Sequence, residues 1–439
     1  QASEVEKKIT DAVVLVFNSD DVLENYVTLD VVTEGDAPNQ TTVAKKTFAT
    51  TTGKKRLYAL ANLGDYSKIE AIFNGQTAAN KKLSNVCKVI QQITDISGAT
   101  TDNKFWMSNV YKLGATIEDQ DTVQKGDENT NNFTIYIGRM VAKVTPTFAA
   151  DLVVNSGDGT IKTDNAEYRV RNNPNRFFSF PVYNAAGLLT SPYYDRNYTE
   201  GGSYDANGLG AGDFFDNGTA AAFGKTMGQD SYLTENSPKE AKRHKVTFLS
   251  IKAKWEPNAK AIILSADGSY AADQAAKLAE ITGGDGSFYR VQKWENGLIT
   301  GYCPGIYADM PAAWHEVGTA INTETKAGQL TDAAADRDEA KTKSKDAQNA
   351  NKAYLVVKYT DGIAYWAYWM RSRLDGTIAE KYALKRNNHF KVNIISVDGV
   401  GDPNEDDNLD KDEDLEADAS MKATIEVLNW NVVDIEGGI

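Results

Sequence analysis

A chain of 439 residues is long enough for two or more domains with real cores, and its 21 Tyr, 15 Phe and 7 Trp, set among short runs of Thr and Val, favour strands over helices. The net charge of −14 argues against a nucleic-acid surface, which needs a basic face; ten carboxylates against Lys411 alone between Asp402 and Asp418 supply −9 of that charge. No apolar run reaches the roughly 18 residues of a membrane-spanning helix, no signal peptide opens at Gln1, and Cys87 and Cys303 leave one disulfide and two free thiols equally open.

Along the chain, Ile9 to Phe17 (ITDAVVLVF) reads as a buried strand, and Tyr26 to Val32 as its hairpin partner across Asn18-Ser19-Asp20-Asp21. Lys54 to Asn62 alternates Arg56, Tyr58 and Leu60 with Leu57, Ala59 and Ala61, another strand. Residues 76–96 have the pattern of a short helix with Leu83, Val86, Cys87 and Ile90 on its inner face, and Phe133 to Val144 is one further strand before Pro146. These elements make a first all-β domain over residues 1–150. A second, over 151–439, opens with a loop-rich insert near 150–236 and carries another near 311–350. Its strands begin at Lys245 to Trp255; Tyr270–Ile281 and Thr331–Asn349 are helix-prone. Ala353 to Met370 reads as a hairpin around Asp361-Gly362, with two of Tyr365, Trp366, Tyr368 and Trp369 in the core and two on the surface.

From His389 onwards Phe390, Val392 and Ile394 share one face of a strand that ends at Asp398-Gly399. Beyond the acidic run, Ala423, Ile425 and Val427 alternate with Thr424 and Glu426; the phase then slips and Leu428, Trp430 and Val432 carry the apolar face, with Ile435 beyond them. Such a slip marks a β-bulge or a strand that changes sheets. A terminal strand of this kind either closes its own sheet or is given to a neighbour, and the residues leave both fates open. Burying Ile425, Val427, Leu428, Trp430 and Val432 is worth about 8–15 kcal/mol gross.

Chemistry is sparse. His244, His315 and His389 lie far apart and outside any paired-ligand spacing, and Gly224-Lys225-Thr226 lacks the earlier glycine of a phosphate loop, Thr219 standing in its place. Asp410, Asp412 and Asp414 have the spacing of the first calcium ligands of an EF-hand, but Leu415 and Met421 occupy its glycine and glutamate positions. A looser Ca²⁺ site stays open beside a solvated, self-repelling loop. No cofactor is expected, and no nucleophile–base pair speaks for an enzyme.

Several segments in order resemble the fimbrillin family of Bacteroidales, subunits of type V pili. They are AVVLVF at Ala12–Phe17, GKKRLYALAN at Gly53–Asn62, FWMS at Phe105–Ser108, GRMVAKV at Gly138–Val144 and YLTEN at Tyr232–Asn236. The Tyr359–Tyr368 hairpin and, most specifically, YALKRNNHFKVNIISVDGVGDP at Tyr382–Pro403 complete the set. Length, inserts and IEVLNW at Ile425–Trp430 make the chain most similar, within the family, to the shaft subunits of the short (minor) fimbriae of Porphyromonas.

The resemblance implies a mainly β fold of two transthyretin-like β-sandwich domains with short helical insertions and long loops. It further implies export through the outer membrane as a lipoprotein precursor, and removal of an N-terminal strand by an Arg-specific protease. Identical subunits would then join head to tail as the C-terminal strand of one (Ala423, Ile425, Val427, Leu428, Trp430, Val432, Ile435) enters a groove of the next, with Val13, Leu15 and Phe17 near the groove edge. Accessory anchor and tip subunits, host or bacterial surface receptors, adhesion and biofilm formation belong to the same expectation. Since the first arginine, Arg56, lies inside a predicted strand, the cut is expected before Gln1. The competing readings are a tip or anchor subunit, and a monomeric surface sandwich binding glycan or host protein through Tyr365–Trp369 or the Gly-rich loops.

Overall fold

The computed structural model describes residues 3–36, 41–75, 77–87, 89–93, 95–100, 104–109, 121–123, 132–180, 223–236, 242–265, 269–309, 333–372, 381–411, 415, 421–429 and 433–438, and they are mainly β. The first strands are β1 (Ala12–Phe17), β2 (Leu23–Thr28), β3 (Asp30–Glu34), β4 (Thr41–Thr47) and β5 (Gly53–Ala61). After them come β6 (Ile90–Gln92), β7 (Met107–Asn109), β8 (Asp121–Val123) and β9 (Asn132–Arg139). All six residues of β1 are buried, because β2 and β5 pair with its two edges while both faces carry apolar cover. The predicted second strand is cut in two at Leu29, which turns into the core and donates its N–H to the Ala12 carbonyl (2.9 Å), so β2 stays with β1 while β3 turns to β4. Among the described residues of 76–96, Leu83–Val86 is α-helical and Ile90–Gln92 is strand β6. At the end of β5, Asn62 adopts a left-handed φ of 65° and ties three segments together, accepting from Thr10 N (2.8 Å) and donating to the Lys8 (2.8 Å) and Phe105 (2.9 Å) carbonyls.

The remaining strands are β10 (Val141–Val154), β11 (Gly159–Arg171), β12 (Arg176–Phe178), β13 (Lys225–Thr226), β14 (Ser231–Thr234), β15 (Phe248–Pro257), β16 (Ile263–Leu264) and β17 (Phe288–Glu295). They continue with β18 (Leu298–Tyr302), β19 (Ile306–Tyr307), β20 (Ala333–Ala334), β21 (Lys352–Tyr359), β22 (Ile363–Trp369), β23 (Asn388–Val397), β24 (Met421–Asn429) and β25 (Val433–Gly438). One sheet has the order β14-β10-β23-β24, a second β13-β11-β15-β22, and a third β16-β19-β17-β21-β20 with β18 beside β17. Inward residues of the first two, among them Val144, Phe390, Val392 and Ile394 against Tyr168, Ile251, Trp255 and Trp366, form one apolar cluster. The strand predicted over 133–144 is therefore two strands, broken at buried Met140, whose N–H bonds the Trp106 carbonyl (2.7 Å). Just past that break the core changes: Val141 belongs to the first apolar cluster and Ala142 to the second.

The predicted hairpin at Ala353–Met370 is not one. Asp361 and Gly362 do carry the positive φ of a tight turn (56° and 71°), but β21 pairs with β17 and β22 with β15, so the chain turns a corner between two sheets. The corner is packed tightly, since a Cβ on Gly362 would stand 2.8 Å from the Trp255 carbonyl. Both faces of β22 are consequently covered: Trp366 and Tyr368 point into the large second cluster, Trp369 into a smaller one with Phe248 and Tyr382, and of the four aromatics Tyr365 is the half-buried one. The predicted alternation of core and surface aromatics fails because the sheet has no solvent face there. Cys87 and Cys303 are both free thiols.

Gly401 lies against this wall, where an added Cβ would sit 2.4 Å from the Tyr365 carbonyl and 2.8 Å from the Trp366 ring. Gly401→Ala is expected to lower stability by about 1–3 kcal/mol, read as an earlier urea midpoint; an unchanged midpoint would show that the wall yields freely.

Candidate strand-insertion site

The first sheet runs β2-β1-β5-β7-β9-β25-β4-β3, with β8 beside β5. Strand β25 is antiparallel to β9, with Val433 opposite Ile137 and Ile435 opposite Ile135, and parallel to β4, with Ile435 opposite Ala44. Ala44, Ile135 and Ile137 are buried. Among the described residues, the β3–β4 hairpin is paired to the rest of its sheet through β25 alone. The last strand thus occupies a slot between two edges, and the chain reaches it from the other core.

The phase slip at Val427/Leu428 lies inside β24. β24 pairs in register with β23, Ile425 opposite Val392, Val427 opposite Phe390 and Leu428 opposite His389, with no bulge at the slip; the bulge lies at Ile394/Ser396 instead. The change of sheet comes after Asn429. Ala423 packs half-buried against the second cluster, whereas Trp430 and Val432 lie outside the described residues. Val13, Leu15 and Phe17 are in β1, which is paired on both edges, so the edges that flank the final strand are those of β9 and β4.

The far end of β9 enters a polar seam that pattern reading missed. Arg139 is fully buried; its guanidinium donates twice to the Glu6 carbonyl (2.9 and 2.7 Å) and its N–H to Asn387 Oδ1 (3.1 Å). Burial pulls its pKa down to about 10, with the Glu6 carboxylate opposing. Burial pushes Glu6 upward, yet bonds from Ser3 N–H (2.7 Å), Tyr232 Oη (2.9 Å) and Lys143 Nζ (3.1 Å) outweigh it and hold the carboxyl below the usual range. Beside them Arg386, 4% exposed, forks onto Glu235, 1% exposed (Nε–Oε2 2.9 Å), and its other donors reach Ser108 Oγ and the Ser179 carbonyl (3.2 Å each). Residues 108 and 179 come from the first-core side and 235 and 386 from the second, so this pair fastens the two together. Arg139 ends β9 and Arg386 lies in the turn before β23, where alternation carries no signal; the dense polar run Lys385-Arg386-Asn387-Asn388 was the available clue.

The acidic run differs from a solvated loop in its first half. Glu405 bonds Arg169 (2.8 Å) and Arg171 (2.8 Å), Asp402 bonds Lys411 (2.9 Å) and Tyr302 (2.7 Å), and Asp410 is held by Arg337 (2.6 Å) and Lys341 (2.9 Å). Asp410 is therefore committed to cations, while Asp412 and Asp414 lie outside the described residues, among which no group of three or more His, Cys, Asp or Glu could hold a metal. Asp407 is fully buried, bonded by Gln292 (3.0 Å) and beside Arg337 (3.2 Å); burial and then neighbouring Asp402 push its pKa up to about 7. His389 meets Thr145 Oγ1 (2.7 Å) and is shifted down, by burial and then by Lys143; His315 lies outside the described residues.

Residues 1–163 match the family described as "Major fimbrial subunit protein (FimA)" and residues 357–436 that described as "Major fimbrial subunit protein type IV, Fimbrillin, C-terminal", together more than half of the chain. The chain belongs to the fimbrillin family of major fimbrial subunits. Among solved structures it is similar to a fimbrilin (FimA) from Porphyromonas gingivalis W83, at 14% identity and a TM-score of 0.41 over 97% of this chain and 92% of that one. It is also similar to the tip fimbrial protein Mfa3 from Porphyromonas gingivalis, at 12% identity and a TM-score of 0.36 over 98% and 97%. A fimbrial assembly protein from Parabacteroides distasonis ATCC 8503 matches at 12% identity and a TM-score of 0.31 over 58% and 80%. No curated protein matches the chain. The family is one of structural subunits of a cell-surface appendage; no helix of the described residues is long and apolar enough to cross a membrane.

Two outcomes are expected here. Glu235→Ala strands the Arg386 guanidinium and should cost about 3–5 kcal/mol in urea unfolding, more than Glu235→Leu with Arg386→Leu together; equal losses would remove the seam's ionic character. Asp407 has a folded pKa above its unfolded value, so the folded chain holds the extra proton and stability falls as pH rises between about 4 and 7, by at most about 1.4 kcal/mol per unit. Asp407→Asn should flatten that fall, and parallel midpoint-versus-pH curves for the two proteins would refute it.

Proposed function

We propose that the chain is the shaft subunit of a surface fimbria and polymerises head to tail by donor-strand exchange. The observation that supports this is the position of Val433–Gly438, a strand reached from the second core and inserted between β9 and β4 of the first sheet. Giving that strand to the next copy would remake the same backbone pairs, so exchange trades an intramolecular tether for a subunit contact at little cost in bonding. A slot on one core and a donor from the other make the contact heterologous, and repetition gives an open filament instead of a ring. In the isolated chain the strand closes its own sheet; in the filament it would close its neighbour's.

On this reading the molecule is built as two transthyretin-like sandwich units, and the change of core at Val141/Ala142 supports a division there. Its partners are identical subunits, with tip and anchor subunits of the same family at the filament ends. An Arg-specific protease acting on a lipoprotein precursor would clear the slot, and adhesion and biofilm formation would follow from display at the surface. Length, inserts and the IEVLNW ending support a shaft subunit of the short-fimbria type.

The test compares the intact chain with one ending at Asn429, each expressed with its native leader region, trimmed by an Arg-specific protease, and examined by negative-stain microscopy and unboiled gel electrophoresis. Filaments and ladders are expected from the intact chain only, with β-rich circular dichroism from both. Equal polymerisation of the shortened chain would defeat strand exchange through this end.

A further inference from the structure

Where the sheet of β11 and β15 meets that of β16, β17 and β19, a cavity of about 260 Å³ is lined by Ser156, Asp158, Trp255, Lys260, Ile262 and Arg290, among others. Its charge is unusual for so acidic a chain. Among the described residues no carboxylate stands within salt-bridge distance of Arg290 or Lys260, although the buried arginines Arg139, Arg171 and Arg386 all bond carbonyls or carboxylates. The Arg290 guanidinium carbon lies over the Tyr302 ring, 4.3 Å from its centroid, and the guanidinium hydrogen-bonds the Tyr359 hydroxyl; neither partner is an anion. Its Nε–H is buried without a hydrogen-bond partner. Trp255, only 3% exposed, packs its indole against Gly159, and no partner is found for its Nε1–H among the described residues. The lining also holds an acceptor, Asp158, which accepts a hydrogen bond from the Ser156 hydroxyl.

Unpaired buried donors cost free energy unless something fills them, and a planar guanidinium is suited to a carboxylate. The cavity is smaller than the 300–1,000 Å³ typical of drug-sized ligands, about right for one sugar ring. We infer that this cavity binds a sugar acid, its carboxylate on Arg290 and Lys260, its hydroxyls facing Asp158, Ser156 and the Trp255 indole N–H, and its C–H face against Ile262. Asp158 matters to this choice: it disfavours bare anions but accepts from a polyol. The inference is independent of strand exchange, because the cavity lies wholly on second-core elements.

Isothermal titration and saturation-transfer NMR on the intact chain would use glucuronate, its methyl glycoside as a mimic of a glycan end, glucose and acetate. Glucuronate is expected to bind at least tenfold more tightly than glucose and acetate, and Arg290→Met to weaken it at least tenfold. Binding of the methyl glycoside would point to glycan ends and its failure to the free sugar acid, both within the inference. Equal affinity for glucose or for acetate, or no glucuronate binding, would overturn it. Should Arg290→Met not fold, Lys260→Gln on its exposed turn carries the test, with at least threefold weakening expected and unchanged affinity overturning the inference.

Discussion

A strand edge inside a sheet cannot be left bare: each N–H and C=O along it needs a partner, and an unfilled row is both costly and adhesive. Much of the first core depends on how this chain meets that constraint. β9 and β4 face each other across one strand's width, and β25 fills the gap with main-chain bonds on both flanks. The filler is held by its backbone pairing to these two strands. A second copy of the same segment meets the same requirement equally well.

The second constraint is electrostatic. Arg139 and Arg386 are buried where the two apolar clusters meet, and Arg386 is held there by acceptors from both sides. Glu6, Glu235, Ser108 and the carbonyls of Phe178 and Ser179 supply them. A nonpolar joint would hold over a range of angles; this one is satisfied only when both halves present their oxygen atoms in place. The β9 strand that borders the slot ends in this seam at Arg139, so the slot wall and the joint are parts of one element.

Much of the β character was legible because burial imposes period two wherever one face is wet. Phe390, Val392 and Ile394 alternate with Lys391 and Asn393 in the sequence and lie buried in β23 as that pattern requires. Reading failed where both faces are covered, as at Tyr365–Trp369, and where turn chemistry was right but strand partners were wrong, as at Asp361-Gly362. A turn fixes local direction, not the sheet that each arm joins. The seam was illegible for a related reason: Arg386 and Glu235 are far apart in sequence, and neither sits in a pattern that a single strand or helix imposes. For the final strand, alternation gave the apolar run of β24, but only the three-dimensional sheet order gives β25 its two neighbours.

The mixed pairing of β25 has a mechanical consequence. Its hydrogen bonds run across the strand to β9 on one side and β4 on the other, so a pull along the strand's own axis loads every bond in shear. Bonds loaded side by side share the force and fail together, whereas a pull across the strand would part them one at a time from an end. The joint is therefore strongest in the direction along which tension on its terminus acts.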